Sequence, residues 1–109
     1  MAAVRVAVTS RDGVSVNERL HRAADYLVFE RRGDQVAFVE RRSRPATAAR
    51  LFRDFSSLAK LLEDCAWVVS LGLNGEARKE LAARGFRLLE SRGPIEGVIR
   101  GLPLDTVTP

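Results

Sequence analysis

The sequence has few of the residues that build metal centres and covalent frameworks. Its 109 residues include one cysteine, Cys65, and one histidine, His21. A single cysteine excludes an internal disulfide, and a single histidine excludes a metal site made of several imidazoles. Cys65 also has no CxxC companion, and it lies where a helical pattern gives way to an apolar run. We therefore expect Cys65 to pack in the core.

Long apolar runs are also missing. No stretch approaches the roughly 20 residues that a membrane helix needs, and the first residues lead directly into a strand pattern rather than a signal peptide. These features predict a cytoplasmic protein with no membrane contact.

Lysine is scarce. The chain has 18 basic residues and a net charge of +4, but lysine occurs only at Lys60 and Lys79. The planar guanidinium of arginine pairs well with carboxylates, phosphates and other diffuse anions. Aromatic residues make up only 6% of the chain, and no stacking motif is present. A nucleic-acid partner is therefore unlikely, and local clustering of arginine is the more informative feature.

Periodicity predicts an α/β domain. Five segments have strand patterns and three later segments have helical patterns. The predicted strands are 4–8, 26–29, 36–39, 66–71 and 86–89, and the later helices are 51–62, 76–84 and a final helix from Pro94. The continuous apolar run 66–71 is typical of a central parallel strand covered on both faces. This order indicates one domain over 1–103 with a mixed five-stranded sheet, helices on its faces, and a loose tail over 104–109.

Several local signals refine this prediction. Asn17 is a good N-cap for a short helix over 18–24. The stretch 41–47 reads as a loop because it contains Pro45. Gly85 is placed to adopt the left-handed conformation after a helix, and Pro94 suits the first position of the final helix.

Two basic clusters and one glycine loop are the candidate binding residues. The first cluster follows the first strand, the second lies in the loop after the hairpin, and the glycine loop joins the central strand to a helix. These residues are Arg11, Arg19, His21 and Arg22; Arg41, Arg42, Arg44, Arg50 and Arg53; and Gly72, Asn74 and Gly75. Ligands of open α/β sheets bind at the carboxyl ends of parallel strands, where a helix N-terminus also favours anions. Each arginine taken alone is more often a solvated surface residue than a ligand contact.

Three stretches resemble the dinitrogenase iron-molybdenum cofactor family. The first contains VAVTS, VNERLHRA and YLVFE between Val6 and Glu30; the second is LEDCAWVV from Leu62; the third is GFRL from Gly85 followed by GPIE from Gly93. The family pattern has a His-Phe-Gly run where this chain has Arg19-Leu20-His21. Either His21 compensates for the missing histidine, or the contact is ionic through Arg19, or cluster binding has been lost.

The resemblance implies a ribonuclease H-like fold and transient binding of the iron-molybdenum cofactor or an iron–sulfur precursor. It also implies partners among nitrogenase assembly proteins or apo-dinitrogenase. The implied ligand is a large anion, with Arg11, Arg19, His21, Arg22, Arg42, Arg44, Gly72, Asn74 and Gly75 as contacts and His21 as the metal ligand. The resulting hypothesis is a non-catalytic carrier or accessory protein. The alternative is a degenerate member that acts as a protein-interaction module without a cluster.

Overall fold

The structure of the protein is a computed structural model that describes residues 3–43 and 55–103. Within these two ranges, the secondary structure consists of seven strands, a 3₁₀ helix and three α-helices. In chain order they are β1 (Val4–Val8), β2 (Ser15–Val16), the 3₁₀ helix (Leu20–Arg22), β3 (Asp25–Arg32), β4 (Gln35–Ser43), α1 (Phe55–Leu61), β5 (Trp67–Ser70), α2 (Gly75–Ala83), β6 (Arg87–Glu90), β7 (Gly93–Pro94) and α3 (Ile95–Arg100).

The main sheet has five strands in the order β4-β3-β1-β5-β6. β1, β5 and β6 run parallel, whereas β1 pairs with β3 and β3 with β4 in antiparallel fashion. The four residues of β5 are all buried, because the strand has neighbours on both sides and is covered on both faces. The predicted mixed five-stranded sheet and its central parallel strand are therefore confirmed. Its assignment as ribonuclease H-like stays a prediction.

Side chains alternate between two apolar layers because successive strand residues point to opposite faces. One layer joins Ala7 and Val68 to α1 and α2, and the other joins Val6, Val8 and Val69 to α3. Burial on both faces explains why the segments of β1 and β5 are rich in valine rather than alternating with charged residues.

The predicted short helix over 18–24 is wrong. Only Leu20–Arg22 is helical, as one 3₁₀ turn with Arg19 as its N-cap residue. Asn17 does not cap it, since its Oδ1 accepts a hydrogen bond from the backbone N–H of Arg11 at 2.7 Å. The chain before this turn forms β2, which pairs with β7 near the other end of the sequence, so a contact remote in sequence replaces the local helix.

The predicted loop over 41–47 is wrong at its start, because β4 continues to Ser43 along the edge of the sheet. Pro94 is the N-cap residue of α3 rather than its first helical residue. Gly85 has φ of +94°, which confirms the left-handed position after α2.

Three predictions lie wholly or partly outside the described residues: the rest of the loop over 41–47, the start of the helix over 51–62 and the tail over 104–109. The single domain over 1–103 stays a prediction. Among the described residues, the helices are all too short and too polar to span a bilayer.

Candidate functional site

The carboxyl ends of β1 and β5 lie side by side, as the parallel pairing requires. The backbone N–H of Thr9, just past β1, donates to the carbonyl of Val69 at 3.1 Å. Thr9 and Ser70 are both fully buried, although both side chains are polar. We call this end of the sheet, with residues 9–11, 17–22 and 70–75, the carboxyl-edge site.

The buried hydroxyls hold the 17–22 segment in place. The backbone carbonyl of Glu18 accepts hydrogen bonds from Thr9 Oγ1 at 2.7 Å, from Ser70 Oγ at 3.2 Å and from the N–H of Leu71 at 3.0 Å. In addition, the N–H of Leu20 donates a hydrogen bond to the carbonyl of Gly72 at 3.2 Å. A buried hydroxyl without a partner would be costly, so these bonds fix the segment against both strands.

Arg19 lies across the glycine loop. A Cβ at Gly72 would stand 3.6 Å from Cγ and 3.9 Å from Nε of Arg19, so the arginine stem runs directly over the glycine backbone. Arg19 is exposed, and among the described residues its guanidinium has no hydrogen bond or ion pair. The stem is thus held in place while the charge faces solvent.

The other predicted residues of the first cluster lie in the same segment. His21 and Arg22, in the 3₁₀ turn, are exposed, and within 3–43 and 55–103 their side chains have no hydrogen-bond partner. Arg11 differs, because its Nε lies 3.3 Å from Oε2 of Glu18. Three of the four predicted side chains of this cluster therefore have no partner among the described residues.

The glycine loop ends at the N-terminus of α2. The Asn74 side chain accepts from the N–H of Ala77 at 2.7 Å, so it serves as the N-cap. Gly75 is exposed, and no atom lies within 4 Å of the position that its Cβ would occupy. Backbone N–H groups of a first helical turn have no partner within the helix, and the positive end of the helix dipole favours an anion there.

Arg42 was predicted to join these residues, but the structure pairs it elsewhere. Its guanidinium donates to Asp64 at 2.5 and 2.8 Å, to Glu40 at 2.7 Å and to the carbonyl of Leu61 at 2.9 Å. Asp64 also binds Arg5 at 2.7 Å. These bonds raise the pKa of Arg42 and lower the pKa of Asp64, chiefly through the hydrogen bonds between the two side chains. We call Arg5, Glu40, Arg42 and Asp64 the framework ion cluster. Arg44 lies outside the described residues.

The sequence reasoning missed two residues at this end of the sheet, Arg92 and Glu18, of which only Glu18 belongs to the carboxyl-edge site. Arg92 is exposed and follows β6, whose pairing with β5 ends at the Ser70–Glu90 step, and Ser91 N–H donates to the Ser70 carbonyl at 2.9 Å. Arg92 could have been found from its position just after β6, which is a parallel strand of the same sheet. Glu18, next to Arg19, gave no signal that its carboxylate would be largely buried.

Metal ligands are few. Across 3–43 and 55–103, no group of three or more His, Cys, Asp or Glu side chains could hold a metal ion. Cys65 lies at the amino end of β5, in a cleft of about 390 Å³ shared with Lys60 and Phe86. Burial raises the pKa of its thiol to about 11, which keeps it protonated and a poor ligand. The carboxyl-edge site therefore offers cationic side chains and one imidazole, a set that suits ionic binding of an anion with at most one protein ligand.

Comparison with known proteins gives the family. The family model described as dinitrogenase iron-molybdenum cofactor matches residues 2–102. Five solved chains also match; one of them, the crystal structure of PH0822, has a TM-score of 0.69 at 22% identity and covers 89% of this chain and 86% of its own. That likeness concerns the fold alone. A search of curated proteins found no match. Because the family model covers nearly the whole sequence, this chain belongs to the dinitrogenase iron-molybdenum cofactor family.

Proposed function

We propose that the protein is a non-catalytic carrier or accessory protein that binds an iron-molybdenum-type cofactor, or its iron–sulfur precursor, during nitrogenase assembly. The observation behind the proposal is the set of exposed side chains of Arg19, His21 and Arg22, which have no partner within the described residues. They belong to a segment fixed by buried hydroxyls, in a chain of a family named for this cofactor.

The chemistry of the site suits a large anion. Guanidinium groups bind diffuse negative charge, and fixing their stems lowers the entropy lost on binding. Arg19, with Arg22 and Arg92, would provide the ionic contacts, the N-terminus of α2 beside Gly72 and Gly75 would add backbone donors, and His21 is the candidate metal ligand. Arg42 is left out because Asp64, Glu40 and Leu61 occupy its guanidinium.

An anaerobic titration with isolated cofactor tests the proposal. We expect a saturable complex with micromolar affinity, seen by visible absorption and by a native-gel shift, that weakens as the salt concentration rises. His21→Ala would weaken binding strongly if the imidazole ligates the metal, and only slightly if the contact is ionic. Absence of binding at micromolar cofactor would contradict the proposal.

A second function is favoured by the poor set of metal ligands. Arg19 stands where the family pattern has histidine, and the described residues contain no cluster of three metal-binding side chains. The protein would then dock on a nitrogenase assembly protein or on apo-dinitrogenase without a cluster. A pull-down from nitrogen-fixing cells separates the two functions. Retention of the same partner protein by the metal-free wild type and by Arg19→Ala would support the function as a docking module.

A further inference from the structure

A largely buried carboxylate lies within the cationic carboxyl-edge site. The Glu18 side chain is only 14% exposed. Its Oε1 accepts the backbone N–H of Arg19 at 2.9 Å, and its Oε2 lies 3.3 Å from Nε of Arg11. One acid therefore lies in the same segment as Arg19, His21 and Arg22 and is paired with Arg11.

Glu18 and Arg11 form an ion pair in which the acid is largely buried, whereas 66% of the Arg11 side chain is exposed. The acid stays where its backbone carbonyl and Oε1 are bound, whereas the arginine is free to turn toward solvent. Breaking the single contact of a solvent-exposed guanidinium costs little free energy. Arg11 is thus the exchangeable member of the pair.

We propose that Glu18 is a resident counter-anion that limits the affinity of the carboxyl-edge site, and this inference rests on the proposed function. In the free protein Glu18 neutralises Arg11. An anionic cluster must attract Arg11 away from Glu18 and lie close to the remaining negative charge. Glu18 thereby weakens binding and speeds release, which suits a protein that holds its ligand only until transfer.

The backbone contacts allow the charge to be tested apart from the geometry. Thr9, Ser70 and Leu71 donate to the main-chain carbonyl of Glu18, which no side-chain substitution removes. In Glu18→Gln the amide oxygen can still accept from the N–H of Arg19. The variant loses only the negative charge and its pull on Arg11.

The experiment compares Glu18→Gln with Glu63→Gln in the anaerobic cofactor titration. Both variants raise the net charge by one, but Glu63 is exposed and lines the cleft at the amino end of β5. Removing a unit charge beside a multiply charged ligand should tighten binding by about fivefold for Glu18→Gln, mainly through slower dissociation. Glu63→Gln should bind as the wild type does. Equal affinities for the two variants, or weaker binding by Glu18→Gln, would overturn the inference.

A second pair of variants gives an independent result that does not depend on how Glu18→Gln folds. Arg11→Gln and Arg22→Gln each remove one exposed cation from the site, but only Arg11→Gln also leaves Glu18 without its partner. Because binding already separates Arg11 from Glu18 in the wild type, part of the gain from Arg11 is offset, so Arg11→Gln should weaken binding less than Arg22→Gln does. An equal or larger loss would contradict the inference. If wild type and Glu18→Gln both fail to bind, the proposed function and this inference fail together. If the wild type binds the cofactor but Glu18→Gln binds it no more tightly than Glu63→Gln does, only the inference fails.

Discussion

Arginines at two places in this molecule differ in how they are held. In the framework ion cluster, Arg42 has a side chain that is 14% exposed and binds two carboxylates and a carbonyl. At the carboxyl-edge site, Arg19 and Arg22 are exposed, and their guanidinium groups have no partner within the described chain. The comparison teaches that a high arginine content does not identify a binding site. What distinguishes the candidate is charge left unpaired on a fixed segment.

The largest expected effect concerns the stability of the framework ion cluster. Arg42→Ala removes the hydrogen bonds to Asp64, Glu40 and Leu61. Because these bonds are charge-assisted and the Arg42 side chain is largely buried, we expect the free energy of unfolding to fall by about 2–3 kcal/mol. Urea denaturation followed by circular dichroism measures it. The control is Arg32→Ala, because Arg32 is exposed and lies 3.7 Å from the Glu30 carboxylate. A loss no larger than that of Arg32→Ala would show that the two classes of arginine do not differ.

A smaller effect is expected from pH. Because the guanidinium groups of Arg42 and Arg5 lower the pKa of Asp64 in the folded state, its contribution to stability is present above the ordinary aspartate pKa and is lost as the pH falls through the lowered value. The carboxylate is partly exposed, so we expect a contribution of about 1 kcal/mol. The difference in unfolding free energy between wild type and Asp64→Asn should be constant above about pH 5 and should shrink below about pH 4. A difference that is undiminished at pH 2 would contradict the pairing.

The smallest effect on stability is expected at the carboxyl-edge site. Arg22→Ala and His21→Ala remove exposed side chains without a described partner, so the free energy of unfolding should change by less than about 0.5 kcal/mol. The same urea denaturation experiment measures it. A loss of 1 kcal/mol or more would mean that these side chains stabilise the fold and are not available to a ligand.

The sequence predicted the parts of the fold that depend on local pattern. The alternating valines identified β1 as a strand, the apolar run identified β5 as a central parallel strand, and Gly85 was correctly placed because its position requires a positive φ. The errors arose where distant contacts decide the structure. The Glu18 carbonyl accepts from Ser70, 52 positions away, and from Leu71, so the segment is held against the end of β5 instead of forming the helix that Asn17 was expected to cap.

The candidate site was predicted in part for the same reason. Arg11 and Gly72 follow β1 and β5 closely, so the parallel pairing brings them to one edge of the sheet. Arg19 is brought there by the hydrogen bonds from Thr9, Ser70 and Leu71 to the Glu18 carbonyl. The ion pair between Arg42 and Asp64 joins residues 22 positions apart on different elements, and no local pattern reveals it. Sequence clustering could therefore not distinguish a framework arginine from one that is free to bind.

The central claim is that unpaired charge at the carboxyl-edge site, and not net charge, binds the anionic cofactor. The direct measurement is the dissociation constant of isolated cofactor, determined anaerobically, for Arg19→Ala and Arg32→Ala, which remove equal charge from opposite ends of the sheet. We expect Arg19→Ala to weaken binding by about tenfold and Arg32→Ala by less than about twofold. Equal weakening by both variants would contradict the claim.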